Sequence, residues 1–141
     1  SSKINPSTKT FQALRIFVNK EISELIKGII NATKFLKPGG KIIIISFHSI
    51  EDRVIKYFFN NFSKNRANPS RYLPENIDNS FYLFEDYNKK AIKPSLKEIK
   101  INNPSRSAKL RFATRSKNEF YYPINLTKKF GNFLEVEGFN V

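Results

Sequence analysis

Apolar residues Phe11, Leu14, Val18, Ile22, Leu25, Ile29 and Ile30 recur at three- and four-residue steps. That spacing lines one face of a helix. Asn5-Pro6-Ser7-Thr8 supplies start signals and Lys37-Pro38-Gly39-Gly40 the stop. Gly28 is the weak point, where low helix propensity predicts a break. The pattern then changes. Ile42 to Ile45 form an unbroken β-branched run between Gly39-Gly40 and Ser46, which predicts a strand over 41–46, buried on both faces as a central parallel strand is. A second helix follows, with Ser49 as the expected N-cap, its hydroxyl accepting from the Asp52 N–H. Glu51 and Asp52 complement the positive helix end. Val54, Ile55, Phe58, Phe59 and Phe62 give this helix one apolar stripe. Helix, strand and helix in this order are half of an α/β doubly wound unit.

Further along, residues 63–80 are polar and contain Pro69 and Pro74, which predicts a loop. Phe81 to Phe84 reads as a short strand. Ser95-Leu96-Lys97-Glu98 is a capping box that opens a helix ending before Asn103-Pro104. Ser107 to Arg115 alternates, with Ala108, Leu110 and Phe112 on one side and Lys109 and Arg111 on the other. That is strand periodicity. Residues 116–141 are aromatic and irregular, and their pattern assigns no element.

The length, 141 residues, suits one domain or part of a larger one. The longest apolar run is Ile42 to Ile45, far short of the roughly 18 residues that span a bilayer, so no membrane role is expected. There is no Cys and only one His, which excludes disulfides, thiolate metal sites and multi-histidine metal sites, and no metal is expected. This usage fits a cytoplasmic protein. The net charge is +13, from 25 basic and 12 acidic residues, and points to a polyanionic partner. Between Tyr87 and Lys117 ten cations face Glu98 alone. Such a cluster suits phosphate contact, and it equally suits a solvated, Lys-protected strand edge. No Met occurs and the chain opens Ser1-Ser2-Lys3, which suggests a processed N-terminus or the C-terminal part of something longer.

Ser46-Phe47-His48-Ser49 occupies the carboxyl end of the expected strand, where open α/β sheets bind ligands. His48 there can bond a substrate or move a proton, or it can simply close the strand end against the backbone. A phosphate-binding glycine loop must follow a strand, whereas Gly39-Gly40 precedes one. Asp52 reads as a helix N-terminal residue and not as the third member of a Ser46–His48 triad.

Five stretches in order, NPSTKTFQALRI (5–16), PGGK (38–41), ISFHSIEDR (45–53), KAIKPS (90–95) and NPSRSAKLR (103–111), resemble the C-terminal half of the bacterial RsmH (MraW) family. The resemblance covers about residues 4–115. It implies a Rossmann-like, class I methyltransferase fold in which 42–46 is a late parallel strand and 107–115 the final antiparallel strand beside it. Residues 1–115 would then belong to the methyltransferase domain and 116–141 to an additional tail. The implied activity is transfer of a methyl group from S-adenosyl-L-methionine to the exocyclic amine of a cytidine in the decoding region of 16S ribosomal RNA, with that RNA or the small ribosomal subunit as partner. The family's glycine-rich cofactor loop has no counterpart here. The main cofactor-binding residues are expected upstream of residue 1, and the isolated chain is expected to be inactive.

By the same resemblance, Thr8, Lys9, Thr10, Gln12 and Arg15 would face the cleft and hold RNA. Ser46, His48 and Ser49 would form the active-site rim, and Arg106, Lys109 and Arg111 would contact phosphates. Asn5 stands where the family usually has His, and Lys9 where it usually has Arg, a change that loses the bidentate fork. Two other classes fit parts of the pattern: a non-catalytic basic RNA-binding module, and a fragment that docks on another protein through a sheet edge.

Overall fold

The computed structural model describes residues 6–64 and 81–138. The expected helix start at Asn5 and most of the expected 63–80 loop lie outside them. The helical periodicity before the first strand is split between α1 (Pro6–Val18) and α2 (Glu21–Phe35). The break falls at Lys20, which takes the left-handed conformation at φ 52°, and not at Gly28, which sits inside α2. A left-handed residue ends a helix wherever it occurs. The two halves differ in burial. Ile22, Ile26, Ile29 and Ile30 of α2 are in the core, while Phe11, Leu14 and Val18 of α1 are exposed and Ile16 is buried.

β1 (Lys41–Ser46) follows, then α3 (Ser49–Phe62), β2 (Phe84–Tyr87), α4 (Leu96–Ile101), a 3-10 turn over Asn103–Ser107, β3 (Lys109–Arg115), α5 (Ile124–Lys129) and α6 (Gly131–Val136). The sheet order is β1-β3-β2. β3 is antiparallel to both neighbours, with Ile42 opposite Ala113, Ile44 opposite Arg111 and Ser46 opposite Lys109. β1 and β2 therefore run parallel to each other on either side of a reversed β3, so the expected final antiparallel strand lies beside β1. β2 begins at Phe84, later than the 81–84 expectation, and carries an irregularity between Phe84 and Asp86.

The five apolar residues of α3 are buried as their spacing requires. Phe58 and Phe59 both meet Phe84 edge-on, with centroids 5.3 and 5.2 Å apart, the geometry aromatic quadrupoles favour. Ser95 caps α4 by accepting from the Glu98 N–H.

Two expectations about the strands are corrected. β1 is not buried on both faces: Ile42 and Ser46 point into the core, while Ile43 and Ile45 are exposed. β3 buries the face opposite to the one its apolar residues suggested. Arg111, Ala113 and Arg115 point inward, and Leu110 and Phe112 are only partly covered. Both inward arginines have internal partners, which is what makes their burial affordable.

The segment beyond 116 contributes Leu126, Phe130 and Leu134 to the same core cluster as α2 and α3. It also completes α2. Lys20 offers no side-chain cap, and the carboxylate of Glu137 accepts instead from the backbone N–H groups of Ile22 and Ser23, at 3.3 and 2.7 Å, and from the Ser23 hydroxyl. A buried anion at a helix N-terminus combines capping with a favourable dipole interaction. Replacing Glu137 by Gln should cost about 1–2 kcal/mol in urea unfolding, with faster amide exchange at Ile22 and Ser23. Unchanged exchange there would show that α2 does not depend on this carboxylate.

Candidate active-site rim and nucleic-acid interface

The expected N-cap of α3, Ser49 accepting from the Asp52 N–H, is corrected: the cap is His48, one residue earlier, with Glu51 as its partner. His48 has extended backbone at φ −133°, its Nδ1 accepts from the Glu51 N–H, and the Glu51 carboxylate accepts in return from the His48 N–H. The same carboxylate accepts from the Phe47 N–H at 2.9 Å. This reciprocal capping box fixes the turn from β1 into α3. Ser49 is left exposed, and Ser46 is buried with its hydroxyl 3.5 Å from the Lys109 carbonyl.

The other His48 nitrogen, Nε2, lies 3.4 Å from Glu21 Oε2 and 3.5 Å from Glu51 Oε1. Neither contact has hydrogen-bond geometry. Ligand atoms of these three residues lie within 4.8 Å of one another, a spacing that could suggest a metal. The cap argues otherwise. Nδ1 must keep its lone pair to accept the Glu51 N–H, so a neutral His48 carries its proton on Nε2. An N–H, not a lone pair, then faces the two carboxylates. Metal-bound imidazoles show the reverse arrangement, donating from the second nitrogen. His48 therefore works as a cap and as an electrostatic link between α2 and α3. Its side chain is 5% exposed.

Glu21 extends this link to α1. It receives Arg15 Nε at 2.8 Å and Nη2 at 3.2 Å, and Asn19 Nδ2 at 3.3 Å. Burial pushes the Glu21 carboxyl up, but the bonds from Arg15 and Asn19 outweigh it and hold it below the usual carboxylate range. Nothing in the sequence spacing singled out Glu21. Its first-turn position in α2 reads as an ordinary helix-dipole residue.

On α1, Thr8, Phe11, Gln12 and Arg15 line one shallow groove of about 380 Å³. Positions 8, 12 and 15 share a helix face, as the period demands. Lys9 and Thr10 do not line it, although both are exposed.

The basic stretch divides in two. Arg111 is buried and gives its Nε to Asp52 at 2.7 Å and its Nη1 to the Lys89 carbonyl. Lys109, about one-third exposed, holds the other Asp52 oxygen at 2.9 Å. Arg115 is buried among backbone carbonyls. The remaining seven cations, Lys89, Lys90, Lys93, Lys97, Lys100, Arg106 and Lys117, are exposed. None of the seven pairs with a carboxylate among the described residues. Arg106 is thus exposed, with its Nη1 donating to Asn103 Oδ1 at 3.3 Å, Arg111 belongs to the scaffold, and Lys109 is ion-paired yet partly exposed.

Gly39, at φ 78°, and Gly40 make the turn from α2 into β1. A Cβ on Gly40 would stand 2.7 Å from the Leu36 side chain and 2.9 Å from the Lys37 carbonyl, so these glycines serve a close turn. They precede a strand, and the described residues offer no glycine loop after one. The set does not fit a complete S-adenosylmethionine pocket.

Comparison with known proteins gives a match to the MraW methylase family over residues 1–116. The chain is 50% identical over 109 residues to the ribosomal RNA small subunit methyltransferase H of Ehrlichia canis, covering 77% of this chain and 33% of that protein. It is 51% identical over 109 residues to the protein of that name from Ehrlichia chaffeensis, with the same two coverages. Against the Agrobacterium fabrum protein of that name it is 44% identical over 114 residues, 81% of this chain and 33% of the other. The chain therefore matches about a third of the length of these relatives. No helix among the described residues is long and apolar enough to cross a membrane.

Proposed function

The chain belongs to the MraW methylase family, and from that premise we propose that it forms part of an enzyme that methylates the exocyclic amine of a cytidine in the decoding region of 16S ribosomal RNA. S-adenosylmethionine is the proposed donor, the small ribosomal subunit or its RNA the partner, and the cytoplasm the place of action. The family match over residues 1–116 carries this reading. The seven exposed, unopposed cations support its RNA-binding part.

In this reading the chain contributes the surface that receives RNA. Thr8, Gln12 and Arg15 offer two hydrogen-bonding groups and a guanidinium on one face of α1. Ser49 is the rim residue open to solvent, while Ser46 and His48 shape the turn beneath it. The donor's main contacts come from residues outside this chain, and residues 116–141 are proposed as an addition to the catalytic domain that braces α2.

The decisive assay uses the complete protein that carries this chain, with labelled S-adenosylmethionine and small-subunit RNA. Nucleoside mass spectrometry should place the label on a cytidine exocyclic amine, and the isolated chain should transfer none. Label on another nucleoside, or full transfer by the isolated chain, would sink the reading.

A binding experiment separates the two groups of cations. Exchanging Lys97, Lys100 and Arg106 for Gln should lower the slope of log affinity for single-stranded RNA against log salt by about 2, at roughly 0.7 per phosphate contact. An unchanged slope would remove these residues from the interface. The Arg111→Gln variant should instead lower thermal stability.

A further inference from the structure

We infer that the cavity between the outer face of β1–β3 and α4 binds an unpaired nucleobase of RNA. The inference rests on the RNA-binding reading above and adds to it a defined base site. The cavity holds about 510 Å³, within the range of about 300–1,000 Å³ of small-molecule sites. It lies at the carboxyl end of β1, where Ile45 and Phe47 project on the side opposite to buried Ser46 and His48. Ile92, Pro104 and Leu110 complete mostly apolar walls.

Lys93, Glu98, Asn102 and Ser105 interrupt that lining, and Ser105 is the one of the four that is buried. Ser105 is buried at 8% exposure, lines the cavity, and its Oγ has no hydrogen-bond partner. A buried orphan hydroxyl is unfavourable unless something pairs with it. An aliphatic side chain from a protein partner would fill the volume and leave Oγ unpaired. A nucleobase supplies both needs, with flat faces for the apolar walls and edge donors or acceptors for a hydroxyl that can do either. Because a hydroxyl accepts either kind of edge, the site should require a base without demanding which.

Charge favours the same occupant. Lys93 lines the cavity, and Lys97, Lys100 and Arg106 are exposed on α4 and the 3-10 turn that form its far wall. Glu98, the one acidic residue of this stretch, also lines the cavity, where its carboxylate can accept from a base edge amine, and the four cations outnumber it. A base seated inside would leave its phosphates among these cations.

The test compares two single-stranded oligoribonucleotides with identical phosphates, one carrying bases and one abasic at alternate positions, by fluorescence anisotropy with this chain. The base-bearing strand should bind about 5- to 150-fold more tightly, the range of one stacked base. Ser105→Ala should reduce that ratio while keeping or raising thermal stability, because the orphan hydroxyl is gone. Ala108→Leu, which fills the cavity, should abolish it. Equal binding of both strands with a normal salt slope would overturn the base site and leave the RNA reading standing, with the cavity then open to an apolar protein segment. Absence of salt-dependent binding to either strand would overturn both. A folded Ala108→Leu protein that kept the full ratio would also overturn the site.

Discussion

Replacing Arg115 with Met should destabilise the chain by about 3–5 kcal/mol, among the largest effects of any single substitution outside the aromatic core. Arg115 is 5% exposed and has no carboxylate partner among the described residues. Its charge is met by oxygen dipoles alone. Nε reaches the Thr33 carbonyl at 3.3 Å, Nη1 the Leu83 carbonyl at 3.0 Å and the Ser116 Oγ at 3.0 Å, and Nη2 the Asn118 carbonyl at 2.9 Å. Burial lowers its pKa, but a guanidinium stays protonated in proteins. One side chain thus ties the end of α2 to the approach to β2 and to the start of the C-terminal segment. Met fills comparable volume but leaves those acceptors without a donor. Lys keeps the charge yet replaces five donors in a planar fork by three on a point charge, so Arg115→Lys should fall between. Urea unfolding of the three proteins provides the check. A Met variant within about 0.5 kcal/mol of the parent, the size of an ordinary surface change, would show that the cage does not hold these elements.

Arg115 also marks where sequence pattern and structure part. The α3 stripe was readable because Val54, Ile55, Phe58, Phe59 and Phe62 carry the helical period in residue type alone. β1 hid its own period, since four isoleucines in a row give both faces the same composition, and only the pairing with β3 and the packing of α3 separate inward Ile42 from exposed Ile43. β3 misled more strongly. Alternation of apolar and basic residues ordinarily buries the apolar set. Here Asp52 of α3 and a ring of carbonyls wait on the other side, and both partners are distant in sequence, so Arg111 and Arg115 go inward.

The site was legible to a different depth. The turn from β1 into α3 was legible as a strand-to-helix junction, because an apolar strand followed by a polar helix entrance is a local signal. Which residue caps the helix was not, since His48 with Glu51 and Ser49 with Asp52 share one spacing and the choice depends on where β1 ends. Glu21 and Glu137 carried no signal at all. Each acts on a residue in another element, Glu21 on His48 and Glu137 on the uncapped start of α2, and such partnerships exist only after folding. The +9 stretch was visible as charge, while its division into three structural and seven exposed cations required the fold.

Asp52→Ala should cost about 3 kcal/mol near neutral pH, close to the lower end for breaking a buried pair by removing one partner. The carboxylate is 13% exposed and holds Arg111, 7% exposed, and Lys109, 33% exposed. Removing it strands the Arg111 guanidinium inside with only the Lys89 carbonyl, at 3.2 Å, as a partner among the described residues. Asp52→Ala combined with Arg111→Met should recover much of the loss, because an apolar pair of similar volume needs no counter-charge. The pH dependence has a fixed sign. Burial pushes the Asp52 carboxyl up, yet the hydrogen bonds from Arg111 and Lys109 more than offset this, so its pKa in the folded chain is lowered. A carboxyl whose folded pKa lies below its unfolded value of about 3.9 adds stability above that value. The contribution is lost as pH falls through the folded pKa. The stability gap between parent and Asp52→Ala should therefore be constant from about pH 5 to 8 and shrink below about pH 4. Glu21, whose carboxyl is also held below its usual range, is present in both proteins and makes no contact with Asp52, so the gap isolates Asp52. A gap that stayed level at low pH would mean that the pairing with Arg111 and Lys109 does not stabilise the fold through the Asp52 charge.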